Sequence, residues 1–269
     1  MKRAAVLGHP IGHSLSPKLH GYWLNKLAID GSYEAIDTSP EFLGERLTQL
    51  MDQGYQGVNL TVPLKEHVIT LLDETSSQAQ HIGAVNTVIF KHGKLYGDNT
   101  DAYGFIENLR SGVKDLSPYL SHAVVLGAGG AARAIIAGLL AEGVVQITLL
   151  NRTREKAEIL AKMHPSIHVK NWENRSEALS QASLVVNTTS LGMKNQPALE
   201  LSLEFLPKTA LVTDIVYNPL ETALLKQANE RGNSTVDGLG MLIYQAVPAF
   251  EAFFGMKPTM DEKIRMGLL

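Results

Sequence analysis

The stretch His122-Ala-Val-Val-Leu-Gly-Ala-Gly-Gly-Ala-Ala-Arg133 decides the fold. Val124, Val125 and Leu126 run straight into Gly127-Ala128-Gly129-Gly130-Ala131-Ala132, and a helix-forming segment from Arg133 to Leu140 follows. The order is strand, tight turn, helix, the small-residue form of G-x-G-x-x-G/A. Gly127 serves the turn, Gly129 a close backbone approach to a pyrophosphate, and Ala132 helix–strand packing. A glycine-rich turn also occurs for packing alone, so its surroundings must support the reading. Gly143 stops the helix and Val144-Val-Gln-Ile-Thr-Leu-Leu150 reads as a second strand, completing a βαβ unit of about 30 residues. At its end, where NAD-binding proteins usually carry an acidic residue, stands Asn151-Arg152-Thr153-Arg154-Glu155-Lys156. The amide and the cations suit a ribose 2′-phosphate and favour NADP over NAD; a solvated basic loop is the other reading.

Composition narrows the partners. With 269 residues and 45% hydrophobic content the chain can bury a sizeable core, in one large or two modest domains. A net charge of −3 gives no basic field for nucleic acid or anionic lipid, so the expected partner is a small molecule. No cysteine is present, which excludes disulfides, thiolate metal sites and a cysteine nucleophile. The apolar run after Met1 breaks at Gly8-His9-Pro10, too short for a signal-peptide core, and no stretch is long enough to span a membrane. A cytoplasmic, soluble protein is expected; monomer and homodimer are both open.

Upstream, Ala4-Ala-Val-Leu7 reads as a strand ending in the loop Gly8 to Pro17, which opens a helix with Leu19, Trp23, Leu24 and Leu27 on one stripe. Ser16 is placed to cap that helix and Pro17 to start it, whereas Ser14 has no such local role. Ser32 to Ile36 reads as a strand, and Pro40 to Met51 as a helix with Phe42, Leu43, Leu47 and Leu50 facing a core. Gly57 to Val62 reads as a strand stopped by Pro63, which starts a helix burying Leu64, Val68 and Leu71. Thr61 and Lys65 flank that corner; an exposed helical lysine is the plain alternative for Lys65. Asp73 to Ala79 reads as polar loop or cap, and Gly83 to Phe90 with Lys94 to Gly97 as a hairpin. Its two ends bring Asn86 and Asp101 toward each other, although Asp98-Asn-Thr-Asp101 also suits a simple turn. Downstream, strands at Ile167 to Val169, Leu184 to Thr189 and Leu211 to Val216 alternate with helices. The last strand is followed by Tyr217-Asn-Pro219, and Leu242, Val247, Phe250 and Phe254 mark the apolar side of a C-terminal helix. Such alternation predicts two parallel α/β sheets with helices on both faces.

Seven motifs in order, Ser14-Leu-Ser16, Asn59-Leu-Thr-Val-Pro-Leu-Lys65, Gly83-Ala-Val-Asn-Thr87, Asp98-Asn-Thr-Asp101, the glycine turn, Asn151-Arg-Thr153 and Gly238-Leu-Gly-Met-Leu-Ile-Tyr-Gln245, cover essentially the whole chain. In these the chain resembles the shikimate dehydrogenases. The resemblance implies two α/β domains, the second a Rossmann-type NADP-binding domain, with the active site in the cleft between them. It implies residues 1–101 as a substrate-binding domain on which 238–269 pack back, and 102–237 as the nucleotide domain. The implied activity is reversible NADPH-linked reduction of 3-dehydroshikimate to shikimate, in aromatic amino-acid biosynthesis. Lys65 matches the catalytic lysine, with Asp101 beside it. Ser14, Ser16, Thr61, Asn86, Asp101, Tyr217 and Gln245 match substrate-contacting positions. Gly127, Ala128, Gly129, Gly130, Ala131, Asn151, Arg152, Thr153, Arg154, Glu155, Lys156, Ile215 and Gly238 match cofactor positions, as does Ser77. Many members carry an acidic residue in place of Ser77 and methionine in place of Ile215, and some a second arginine where Lys156 stands. No metal site is implied. The chemistry asks for the same residue types: a ketone beside a nicotinamide needs a proton at its oxygen, which a lysine oriented by an aspartate can deliver. A bifunctional quinate/shikimate dehydrogenase is the near alternative, disfavoured by Ser14-x-Ser16 because quinate carries an extra hydroxyl that needs space. A non-catalytic NADP- or shikimate-binding module is the distant one, disfavoured by the retention of Lys65 and Asp101.

Overall fold

The computed structural model describes residues 1–260 and 262–268. The chain divides into two compact units, Met1–Gly104 with Leu242–Leu269, and Phe105–Met241.

In the first unit the chain runs β1 (Lys2–Gly8), α1 (Ser16–Lys26), β2 (Gly31–Asp37), α2 (Leu43–Asp52), β3 (Gly57–Leu60), α3 (Leu64–His67), β4 (Glu74–Thr75), α4 (Ser77–Ile82), β5 (Thr87–Lys91), β6 (Lys94–Asp98) and the start of α5 (Asp101–Gly112). Its sheet has the order β2-β1-β3-β5-β6-β4. It is mixed rather than parallel: β1 lies parallel to β2 and β3, but β5 is antiparallel to both β3 and β6. The hairpin forces this. His92 and Gly93 both have positive φ, 53° and 70°, and so short a turn can only return the chain antiparallel.

The second unit follows α5 with β7 (His122–Leu126), α6 (Gly130–Ala141), β8 (Gln146–Leu150), α7 (Arg154–Ala161), β9 (Ile167–Lys170), β10 (Leu184–Asn187), β11 (Leu211–Asp214), α8 (Ala223–Arg231) and β12 (Ser234–Val236). Its sheet order is β12-β11-β10-β7-β8-β9, with every pair parallel. Counting from β7, this is the doubly wound order, with the reversal between β7 and β10. Alternate residues of β7 feed two cores, Ala123 and Val125 one, Val124 and Leu126 the other, as a sheet covered on both faces requires. Two helices end the chain, α9 (Leu239–Phe254) and α10 (Glu262–Leu268). No helix among the described residues is long and apolar enough to cross a membrane.

Several local expectations are corrected. Ser16 does not cap α1; it is the first helical residue, Leu15 is the N-cap, and the Ser16 N–H donates to Ser14 Oγ. Phe42 is exposed because Pro40–Phe42 is a 3-10 turn ahead of α2, and its tighter winding rotates Phe42 off the stripe of Leu43, Leu47 and Leu50. Leu71 is 40% exposed for the same reason, since α3 gives way to a 3-10 turn at Val68. At Asp73 to Ala79, read as polar loop or cap, the cap is present, Ser76 Oγ accepting the Ala79 N–H at the start of α4, while the short strand β4 takes the place of loop. β12 adds a strand that the pattern of the chain does not announce, since three residues are too few for a periodic signal.

The first unit's core holds an aromatic cluster in which His20 stacks on Tyr33 (3.8 Å, 11°) and Trp23 meets Phe250 edge-on. His20 is fully buried, and neither ring nitrogen has a hydrogen-bonding partner among the described residues. Burial pushes it down from 6.5 to about 3. The folded protein therefore keeps His20 neutral between those values while the unfolded chain binds the proton, so stability falls as pH is lowered through that window. Relative to pH 7, His20 should cost the fold roughly 3 kcal/mol at pH 4. Denaturant unfolding at both pH values should show a smaller acid loss in His20→Phe than in the parent; equal losses would remove His20 as the cause.

Candidate active site

In the first unit, two loops at the ends of neighbouring parallel strands carry small polar residues. The loop after β1 holds Ser14 and leads into Ser16, the first residue of α1, and the corner after β3 holds Thr61 and Lys65. Backbone bonds join them: the Thr61 N–H donates to Leu7 O, and the His9 N–H to Val62 O. A Cβ on Gly8 would stand 2.5 Å from Thr61 Cγ2, so only glycine admits this approach.

Lys65 Nζ donates to Asp101 Oδ2 at 2.5 Å, with side chains 15% and 5% exposed. The other carboxylate oxygen, Oδ1, accepts from Asn86 Nδ2 at 2.9 Å. Asn86 Nδ2 also reaches Thr100 Oγ1 (2.9 Å) and Gln245 Oε1 (3.3 Å), and Gln245 Nε2 donates to Leu242 O. Gly104 lets α5 approach α9 here, for a Cβ on it would lie 2.6 Å from that of Gln245. The structure thus joins Lys65, Asn86, Asp101 and Gln245 in one hydrogen-bonded group. Ser14 and Thr61 on the adjoining loops, and Ser16 at the start of α1, have no side-chain bond to it among those described. An ammonium held against a carboxylate and facing partial solvent can give up and recover a proton.

In the second unit the turn after β7 sits at the reversal point of the sheet. Gly127 has φ +109°, and a Cβ there would meet Thr188 Oγ1 at 2.5 Å. Gly129 is the N-cap of α6; no side chain caps the helix and no acidic residue stands in its first turn. A Cβ on Gly129 would meet nothing within 4 Å, so open space lies directly before unpaired N–H groups at a helix N-terminus. These features fit a dinucleotide pyrophosphate. After β8, Asn151 Nδ2 donates to Thr153 O, and Thr153 precedes α7. Arg154 is engaged, by Glu158 (2.7 Å) and by Asn171 Oδ1 (2.5 Å). Arg152 and Lys156 are exposed and carry no side-chain bond among those described. Gly238 lies against Ile215, whose carbonyl carbon and oxygen would stand 2.4 Å from a Cβ there. Tyr217 follows on the same loop, its hydroxyl pushed up by burial. Ser77, by contrast, opens α4 in the first unit.

One residue escaped the reading of the sequence. Asp214, at the end of β11, is buried; its Oδ1 accepts from Asn187 Nδ2 and the Val216 N–H, and its Oδ2 from Thr222 Oγ1. Burial raises its pKa against these three hydrogen bonds. The carboxylate fixes the start of the loop that bears Ile215 and Tyr217. The signal for it was an acidic residue ending an otherwise apolar buried strand.

Three family models match this chain: the shikimate dehydrogenase substrate binding domain over residues 6–88, shikimate / quinate 5-dehydrogenase over 113–200, and the shikimate 5'-dehydrogenase C-terminal domain over 238–258. A shikimate dehydrogenase (NADP(+)) of Dinoroseobacter shibae is 49% identical over 268 residues, 99% of this chain and 96% of that protein. Among solved structures, shikimate 5-dehydrogenase of Thermus thermophilus in complex with NADP(H) and shikimate is 41% identical with a TM-score of 0.88, covering 99% of this chain and 100% of its own. Quinate dehydrogenase of Corynebacterium glutamicum in complex with NAD is 31% identical with a TM-score of 0.91, covering 99% and 98%. The chain belongs to the shikimate dehydrogenase family.

Proposed function

We propose that this protein catalyses the reversible NADPH-linked reduction of 3-dehydroshikimate to shikimate, with Lys65 and Asp101 as its proton-transferring pair. The observation that carries this reading is the 2.5 Å contact between Lys65 Nζ and a buried Asp101 carboxylate whose second oxygen is held by Asn86. Reducing a ketone needs a hydride at carbon and a proton at oxygen. NADPH, when bound, supplies the hydride. Lys65 donates to the carbonyl oxygen as negative charge develops there, and Asp101 orients the ammonium and stabilises its charge. In the oxidative direction the same pair receives the hydroxyl proton. Ser14, Ser16, Thr61, Asn86, Tyr217 and Gln245 offer the mixed donors and acceptors that a polyhydroxylated carboxylate demands, and Ser14 and Ser16 favour shikimate over the bulkier quinate.

On this reading residues 1–101 with 238–269 bind substrate and residues 102–237 bind NADP. Gly127 to Ala131 take the pyrophosphate, and Asn151 to Lys156 the 2′-phosphate ribose, with Ile215, Gly238 and Ser77 completing the nucleotide contacts. Arg152 and Lys156 are free to meet the phosphate, whereas Arg154 shapes the loop through Glu158 and Asn171. A chain without cysteine needs no oxidising compartment, and we place the enzyme in the cytoplasm.

Absorbance at the nicotinamide band with shikimate and either dinucleotide tests the activity directly; no oxidation of shikimate with NADP would overturn it. Lys65→Ala should lower kcat by about 10²- to 10⁴-fold while changing the shikimate KM much less, because a proton donor acts mainly in the transition state. Ser14→Ala should chiefly raise KM. Asp101→Asn should lose a share of kcat similar to Lys65→Ala, and the Lys65→Ala/Asp101→Asn double variant should fall well short of additivity. A Lys65→Ala enzyme with near-parental kcat would remove Lys65 as the proton donor.

For the cofactor, Arg152→Asp should raise the NADP KM by about 10- to 100-fold and shift preference toward NAD, since a charged contact of this kind is worth about 1.5–3 kcal/mol. Arg154→Ala should do less, its guanidinium being already engaged. Unchanged NADP constants in Arg152→Asp would refute the assignment.

A further inference from the structure

Asn59 and Thr87 lie outside the residues given a role above, yet both are buried and both lead to Asp101. On one face of the first sheet, Tyr33 of β2 reaches across β1, where its register partner is Ala4, to Asn59 of β3, which pairs with Thr87 of β5. Tyr33 Oη donates to Asn59 Oδ1 at 2.7 Å. Asn59 Nδ2 donates to Asn86 O (3.2 Å) and Thr87 Oγ1 (3.0 Å), and Thr87 Oγ1 donates to Asn86 Oδ1 (3.0 Å). Asn86 Nδ2 then donates to Asp101 Oδ1 at 2.9 Å.

The polarity of this chain is forced. The Asn86 carbonyl can only accept, so Asn59 must present its NH₂ there and its oxygen to Tyr33. Thr87 already accepts from Asn59, so its proton goes to Asn86 Oδ1, which the Thr100 N–H also fixes (2.9 Å). A reversed Asn86 amide would set its oxygen against a carboxylate and its NH₂ against a backbone N–H. Only one arrangement satisfies every donor, and it aims the Asn86 amide at Asp101.

We infer that Asn59 and Thr87 are positioning residues of the active site, a directional relay anchored by the Tyr33 hydroxyl that holds Asn86 against Asp101 and so sets the Lys65–Asp101 pair. The inference rests on the activity proposed above. It separates the hydroxyl of Thr87 from its methyl, which a role in packing alone does not.

Three variants decide it, assayed by steady-state kinetics with shikimate and NADP alongside thermal unfolding. Thr87→Val keeps the shape and removes the hydroxyl; it should lower kcat by about 10-fold, the kinetic equivalent of one neutral hydrogen bond, with KM for shikimate and NADP changed by less than about threefold. Thr87→Ser keeps the hydroxyl and loses the methyl; its kcat should stay within about twofold of the parent even where its thermal midpoint drops, because a lost buried methyl is a stability effect. Asn59→Asp is isosteric but removes the donor to Thr87, so it should lower kcat by about as much as Thr87→Val; it carries the test should Thr87→Val fail to fold. A parent protein that does not oxidise shikimate overturns the function and the relay together. An active parent whose Thr87→Val and Asn59→Asp variants keep their kcat overturns the relay alone, as does a Thr87→Ser enzyme that loses as much kcat as Thr87→Val.

Discussion

An ammonium and a carboxylate 2.5 Å apart, with side chains 15% and 5% exposed, lose most of their hydration and persist only where neighbouring dipoles replace it. Much of the first unit meets that demand. Asp101 is the first residue of α5, where the helix macrodipole favours negative charge, and its N–H donates to Asn99 Oδ1, itself tied to Ala84 O through Nδ2. Asn86 supplies the donor to the outer oxygen. Lys65 is held from behind as its carbonyl accepts the Val85 N–H. The antiparallel hairpin of β5 and β6 is what brings 84–86 and 98–101 together, so the departure from a parallel sheet and the charged pair are one feature seen twice.

The second unit meets a different constraint with similar means. Its parallel sheet leaves polar groups at the strand ends, and Asp214 is buried there with no cation in its hydrogen-bond set, only Asn187, Thr222 and a backbone N–H. Burial accordingly pushes its pKa up. The two carboxylates divide the labour: Asp101 is coupled to a lysine, whereas Asp214 is enclosed by neutral donors and holds a loop in shape. In the same unit the uncapped start of α6 turns its N–H donors toward open space, an arrangement suited to an anion.

Most of the nucleotide unit was legible from local pattern, because β7, its glycine turn and α6 are contiguous and the periodicity of a doubly wound sheet repeats along the chain. What was not legible depended on partners far away in sequence or on elements too short to have a period. β12 has three residues. Phe42 and Leu71 carry apolar side chains at helical spacing, but 3-10 winding takes them to the surface. Ser16 has the right chemistry for an N-cap, yet the helix begins one residue earlier in the loop than that role requires. In the site itself the motifs pointed to Lys65, Asn86 and Asp101. The bonds through Asn59 and Thr87, like those around Asp214, arise only when strands distant in sequence are laid side by side.

The aromatic cluster around His20 has a consequence for how the chain is made. Trp23, His20 and Tyr33 come from the first strands and helices, but Phe250 and Phe254 come from α9, and Lys2 Nζ donates to Phe254 O across 252 positions of sequence. The unit spanning Phe105–Met241 is continuous and has its own two-faced core as soon as its last strand emerges from a ribosome. The first unit cannot close its core until the final helices have been synthesised. Closure of the first unit's aromatic core therefore depends on helices that are made only after the whole of the second unit.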